Sequence, residues 1–157
     1  MKRLLIAGAT LACLMAGGAY ATPLGEFDGM FNVKTISTGC NGFPTPGGSG
    51  TLMRYLPPGV GGNGTATRIT LRDLYQQGTM QNYSLASGTV VGSTLVIVDF
   101  VAVDSDARSG KAKVQISSQT PATVVDTTKV VKLAGKIVNF NGALGCTVGF
   151  SATLYSY

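Results

Sequence analysis

A chain of 157 residues with 12 Lys and Arg against 7 Asp and Glu carries a formal charge of +5, and only 12% of its residues are charged. It has no histidine, which excludes Ser-His-Asp and Cys-His nucleophile systems and the common histidine-based metal sites. The basic excess is too mild for a nucleic-acid partner, which demands a clustered footprint, and the abundance of Gly, Ser, Thr and Val suits short strands and tight turns.

Met1-Lys2-Arg3 opens the chain with positive charge, Leu4 to Gly18 is an uncharged run of mostly apolar residues, and Ala19-Tyr20-Ala21 fits the small-x-small rule of a signal peptidase. The expectation is a signal peptide over residues 1–21, bacterial in type, cleaved after Ala21 to leave Thr22 as the new N-terminus. A membrane span needs about 20 consecutive apolar residues, whereas this run is shorter and broken by glycine. Thr10-Leu11-Ala12-Cys13 offers a lipoprotein signal as an alternative, with Thr10 where leucine is usual. Residues 22–157 then form a single secreted domain, long enough to bury one core, in the periplasm or outside the cell.

Beyond the leader, period-2 alternation recurs and helical period is nowhere sustained. Phe27 to Ser37 reads as a strand, with Phe27, Phe31 and Val33 on one face and Asp28, Asn32 and Lys34 on the other. Asn41 to Gly50, rich in proline and glycine, is a loop. Thr51 to Leu56 is a second strand, stopped by Pro57-Pro58-Gly59, and a further loop ends in Asn63-Gly64. Thr65 to Leu74 sends Ile69 and Leu71 one way and Arg68, Thr70 and Arg72 the other. Gly78 precedes a weaker strand near Thr79 to Ala86. Thr89 to Val103 is apolar on both faces, a central strand interrupted at Asp99. Asp104 to Gly110 is a hairpin loop. Lys111 to Ser117 points Ala112, Val114 and Ile116 inward, and Thr120-Pro121 breaks it. Lys129 to Phe140 sets Val131, Leu133 and Ile137 against Lys132 and Lys136, and Asn141-Gly142 is a turn signal. Cys146 to Tyr155 is the last strand, with Val148, Phe150, Ala152 and Leu154 inward.

About eight antiparallel strands with no mature helix predict an all-β fold, an up-and-down β-barrel of calycin-like architecture, with a two-sheet sandwich as the alternative. Cys40 follows the first strand and Cys146 starts the last. In a closed barrel these positions lie at the same end of neighbouring antiparallel strands, so a Cys40–Cys146 disulfide locks the closing seam. Such a bond requires an oxidising compartment, and no Cys-x-x-Cys spacing argues for a redox role.

Among the acids, Asp99 stands out, because a carboxylate in an apolar strand must be hydrogen-bonded, paired or turned outward at an edge or bulge. A carboxylate-dependent hydrolase is the remaining catalytic alternative. Asp104-Ser105-Asp106 opens like a calcium loop, yet Arg108 occupies a ligand position and no glutamate follows at the required distance. Lys111, Lys113, Lys132 and Lys136 are predicted to share one outer face, with Arg68 and Arg72 close by. Such a stripe suits contact with anionic lipid headgroups, lipopolysaccharide or acidic polysaccharide.

Thr153-Leu154-Tyr155-Ser156-Tyr157 resembles the last strand of outer-membrane barrels, whose terminal aromatic guides insertion; in those proteins lipid-facing alternation runs through every strand, whereas here one face carries Lys, Arg and Asp. It also resembles the aromatic-rich final strand of secreted pilus subunits, whose single disulfide joins cysteines close together in the N-terminal half. In architecture alone the chain resembles avidins and lipocalins, without the lipocalin Gly-x-Trp start or any tryptophan. Architecture does not assign function. The expectation is an exported, non-enzymatic binding or structural module of the bacterial envelope, without cofactor or metal. A small molecule, envelope glycan or protein is its partner, membrane-surface contact is a further expectation, and a pilus-like or outer-membrane-associated subunit is the alternative. A ligand is expected in the barrel mouth, near the loops Asn41 to Gly50 and Val60 to Gly64.

Overall fold

The computed structural model describes residues 25–41, 44–47, 51–62, 64–72, 76–82, 90–102, 112–140 and 143–156; for β4 and for 97–102 of β5 it describes backbone and pairing. The expected leader, the Asp104 to Gly110 loop and Lys111 lie outside these residues. Eight strands among the described residues form one antiparallel closed barrel in sequence order: β1 (Phe27–Ile36), β2 (Leu52–Leu56), β3 (Thr67–Arg72), β4 (Gln76–Asn82), β5 (Thr94–Ala102), β6 (Lys113–Thr120), β7 (Val130–Val138) and β8 (Thr147–Tyr155). The up-and-down barrel is therefore the fold, and the sandwich is not.

Alternation explains which wall each residue serves. Phe27, Phe31 and Val33 of β1, Met53 and Tyr55 of β2, and Ile69 and Leu71 of β3 are buried, and they join Val114, Ile116, Val131, Leu133, Ile137, Val148, Phe150 and Leu154 in one cluster. Phe31 meets Phe140 and Phe150 edge to face, each at 6.0 Å between ring centroids, the arrangement that the ring quadrupoles favour. Closure comes from the register of β1 on β8, which runs from Asp28 opposite Tyr155 to Ile36 opposite Val148.

The seam is fastened at one end. A short 3-10 turn, Thr38–Cys40, carries Cys40 to Cys146, with S–S 2.08 Å and Cα atoms 4.3 Å apart. Ser37 reinforces it: its backbone N–H donates to Thr147 O and its Oγ to Gly145 O, while Thr147 N–H donates to Ser37 Oγ, each at 2.9 Å. Gly39 lies so close to the Gly145 carbonyl that a Cβ would collide with it.

Three register shifts bend the wall. One falls between Val33 and Thr35 of β1, one between Ile116 and Ser118 of β6, and one in β5, where Thr79 faces Asp99 but Met80 faces Ile97. The β6 shift makes the strand longer than alternation implies. An extra residue at Ser117 reverses the facing of the residues after it, so pairing continues to Thr120, opposite Lys132. The expected strand near Thr79 to Ala86 also moves. Gly78 lies inside β4, paired with Leu71 on one side and Phe100 on the other; glycine keeps both backbone hydrogen-bonding groups, so flanking strands hold it in the ladder.

Strand direction sorts the loops. The described residues between β1 and β2, 37–41, 44–47 and 51, are at the disulfide end, whereas those between β2 and β3, 57–62 and 64–66, are at the other. The two glycine-rich loops expected around one mouth therefore lie at opposite ends of the barrel. At the end away from the disulfide, Val60 is buried in the core and Gly61 N–H donates to Asp126 Oδ1 at 3.4 Å, tying the β2–β3 loop to the β6–β7 loop.

Candidate functional site on the outer wall

Because inward positions are taken by core side chains, the polar residues of β1–β3 fall on the outside, where register decides which of them meet. Asp28 lies opposite Arg54, and Arg54 opposite Thr70. Leu52 lies opposite Arg72 and Leu56 opposite Arg68. These residues, with Glu26 from the segment entering β1, line a groove of about 350 Å³ on the outer wall.

Arg54 is the centre of the groove and is held in place. Its Nε donates to Asp28 Oδ1 at 2.9 Å, its second terminal nitrogen reaches Asp28 Oδ2 at 3.4 Å, and its first lies 3.5 Å from Glu26 Oε2. The planar guanidinium matches a carboxylate fork in this way. The Asp28 hydrogen bond holds Arg54 above its ordinary range; partial burial opposes this, and the charges of Asp28 and Glu26 add to it. Its side chain remains 51% exposed, so the pairing contributes little to stability. What it does is fix the direction of a cation at the surface.

Arg68 and Arg72 are exposed on either side of Thr70. At a strand rise of about 3.4 Å per residue they are roughly 14 Å apart along β3, with Arg54 between them on the neighbouring strand. The groove thus presents three guanidinium groups and a hydroxyl as donors, and two carboxylates as acceptors, beside the apolar side chains of Leu52 and Leu56.

The lysines occupy a different wall. Lys113 on β6 and Lys132 and Lys136 on β7 are exposed, and Gln115 pairs with Lys136, which places Lys113 diagonally from it. Lys111 lies outside the described residues. Arg68 and Arg72 are not near them, because β3 and β7 are four strands apart in either direction around the barrel. In backbone register Asp99 pairs with Thr79, at the shift in β5, and Thr79 pairs with Thr70. Among the described residues no group of three or more Asp, Glu or Cys is arranged to hold a metal ion.

Alternation had placed Arg68, Thr70 and Arg72 on one side of their strand, but nothing in sequence said that Arg54, Asp28 and Glu26 meet them. That signal requires the β1–β2 and β2–β3 registers. No protein-family model matches the chain, and comparison with curated proteins and with solved structures finds no match.

Proposed function

We propose that this chain is an exported, non-enzymatic binding module of the bacterial envelope that acts through its outer wall, with the groove over β2 and β3 as the binding surface. The supporting observation is the division of labour between the two faces. Inward side chains of β1–β3 and β6–β8 pack on one another as a continuous core, as small barrels do, while the convergent polar groups lie outside. A fixed cation beside two exposed ones is a receptor for charge and hydrogen bonds.

The other readings fit less well. Glu26 and Asp28 both engage Arg54, so this carboxylate pair anchors a guanidinium instead of serving as the acid and base of a hydrolase. Assembly by strand addition needs an open edge; β1 is paired with β8 along most of its length, and the wall narrows at β5–β6, where three residue pairs, Thr94–Gln115 to Val96–Lys113, join the strands. A lipid-facing band is apolar, whereas Asn32, Lys34, Arg54, Arg68, Lys132 and Lys136 are exposed on the outer wall. The disulfide is consistent with an oxidising, exported location; the leader over residues 1–21 supplies the route, delivering the protein to the periplasm or beyond.

Two measurements test this. N-terminal sequencing of the protein from the periplasm or medium is expected to begin at Thr22, and a chain still starting at Met1 in the cytoplasm removes the export reading. Native mass spectrometry after exposure to an envelope glycan and metabolite extract is expected to show a retained ligand that Arg68→Ala plus Arg72→Ala releases. Retention unaffected by that double substitution, or no retention, rejects the groove.

A further inference from the structure

Resting on the reading of the groove as a binding surface, we infer that its ligand is an acidic oligosaccharide: sugar rings carrying carboxylate groups, of the uronic acid class. The mixture of lining groups carries this assignment. A site for a bare phosphate gains nothing from carboxylates, which repel it. Here Glu26 and Asp28 face the same groove as Arg54, Arg68 and Arg72. A ligand that uses both signs must donate hydrogen bonds as well as accept them while carrying net negative charge, and a uronic acid does all three. Its ring hydroxyls donate to the carboxylate lone pairs left over from Arg54, and its carboxylate takes the planar fork of an arginine.

Size and shape point the same way. A volume of about 350 Å³ is at the small end of ligand sites and suits a short stretch of a linear chain instead of a flat membrane. Arg68 and Arg72 lie four residues apart along β3, so a chain lying parallel to the strand presents carboxylates on sugars further apart than neighbours to the two guanidiniums. Leu52 and Leu56, opposite Arg72 and Arg68, offer apolar surface to the C–H faces of the rings. Arg54 is already oriented by Asp28 and Glu26, which lowers the ordering cost at the centre of the site.

The test is calorimetric titration of the disulfide-intact protein with tetramers of galacturonate, mannuronate and glucuronate, with the neutral galactose tetramer, inorganic phosphate and phosphatidylglycerol vesicles as comparisons. At least one uronate tetramer is expected to bind, more weakly as salt is added, with affinity reduced about tenfold or more by Arg72→Ala and by Arg68→Ala, as for lost hydrogen bonds to a charged group. Arg72→Lys is expected to recover part of the loss, since lysine keeps the charge without the fork. Binding of the neutral tetramer, phosphate or vesicles at this groove, with no uronate bound, overturns the ligand class while the binding surface stands. No binding by any probe, with retention from envelope extract unaffected by Arg68→Ala plus Arg72→Ala, overturns both. Cleavage of a bound uronate chain overturns the non-enzymatic reading and leaves the ligand class intact.

Discussion

The Tyr55 hydroxyl donates a 2.6 Å hydrogen bond to Gln119 Oε1, joining β2 to β6 across the barrel. Those strands are four apart in either direction, so the bond spans the interior between opposite walls. Gln119 is in turn fixed by donating its Nε2 to Ala122 O at 2.9 Å. The buried hydroxyl and the amide satisfy one another, and Tyr55→Phe leaves the amide oxygen without its donor. The expected loss is about 1–2 kcal/mol, read as a lower urea midpoint with unchanged slope. Adding Gln119→Leu is expected to cost less than the sum of the two single changes, and strict additivity would show that the bond contributes nothing.

Burial raises the pKa of Tyr55 far above the ordinary tyrosine value of about 10, with a hydrogen bond involving Thr67 acting in the opposite sense. The folded state therefore keeps a proton that the unfolded state releases. Stability from this source is complete below a pH of about 10 and falls as pH rises beyond it. Urea midpoints measured into the alkaline range are expected to fall more steeply for the wild type than for Tyr55→Phe. Identical slopes would remove Tyr55 as the cause.

Much of this fold was legible in sequence because alternation is a local property. Phe27, Phe31 and Val33 mark a buried face without any knowledge of their neighbours, as do Val148, Phe150, Ala152 and Leu154, and the positions of Cys40 and Cys146 then join the two strands. The Tyr55–Gln119 bond was not legible, because it depends on the extra residue at Ser117. Continuing the alternation of Val114 and Ile116 turns Ser118 inward, whereas the shifted register pairs Gln119 with Leu133. A bulge is set by the strand beside it, and Gly135, opposite Ile116, leaves no trace of that in β6 itself. The groove escaped for the same reason: Asp28, Arg54 and Arg72 are far apart in the chain, and only registers bring them together.

Gly135 offers a direct check on that bulge. A Cβ built there would collide with the Gln115 carbonyl and lie 3.2 Å from the Cα of Ile116. Neither is the end of a flexible side chain, so the backbone must shift. Gly135→Ala is expected to destabilise by about 1–3 kcal/mol, the usual cost of overpacking, even though alanine is otherwise the better strand residue. A stable Gly135→Ala variant would mean that β6 and β7 are not so closely apposed.

The Cys40–Cys146 bond closes a separation of 106 residues, so in the chain-entropy account its loss costs about 2–5 kcal/mol. Cys40→Ser plus Cys146→Ser is expected to lower the urea midpoint accordingly and to abolish any response to reductant. The Ser37 contacts with Gly145 and Thr147 persist in that variant, so the seam is expected to weaken without opening. Hydrogen exchange checks this: protection along β1 and β8 falls but survives, and its complete loss would show that the disulfide alone holds the two strands together.

Lys132 and Lys136 separate the two charged walls. Both are exposed, so Lys132→Ala plus Lys136→Ala is expected to change stability by no more than about 0.5 kcal/mol. Because β7 is four strands from β3 in either direction, screening at physiological salt, over about 8 Å, isolates the groove from them. Uronate affinity is expected to stay within about twofold of wild type by that screening. If the lysine wall meets anionic headgroups, cosedimentation with phosphatidylglycerol vesicles weakens with added salt and disappears in the same variant. A variant that loses uronate binding as strongly as Arg72→Ala would instead place the glycan on the lysine wall, and the assignment of the groove would fall.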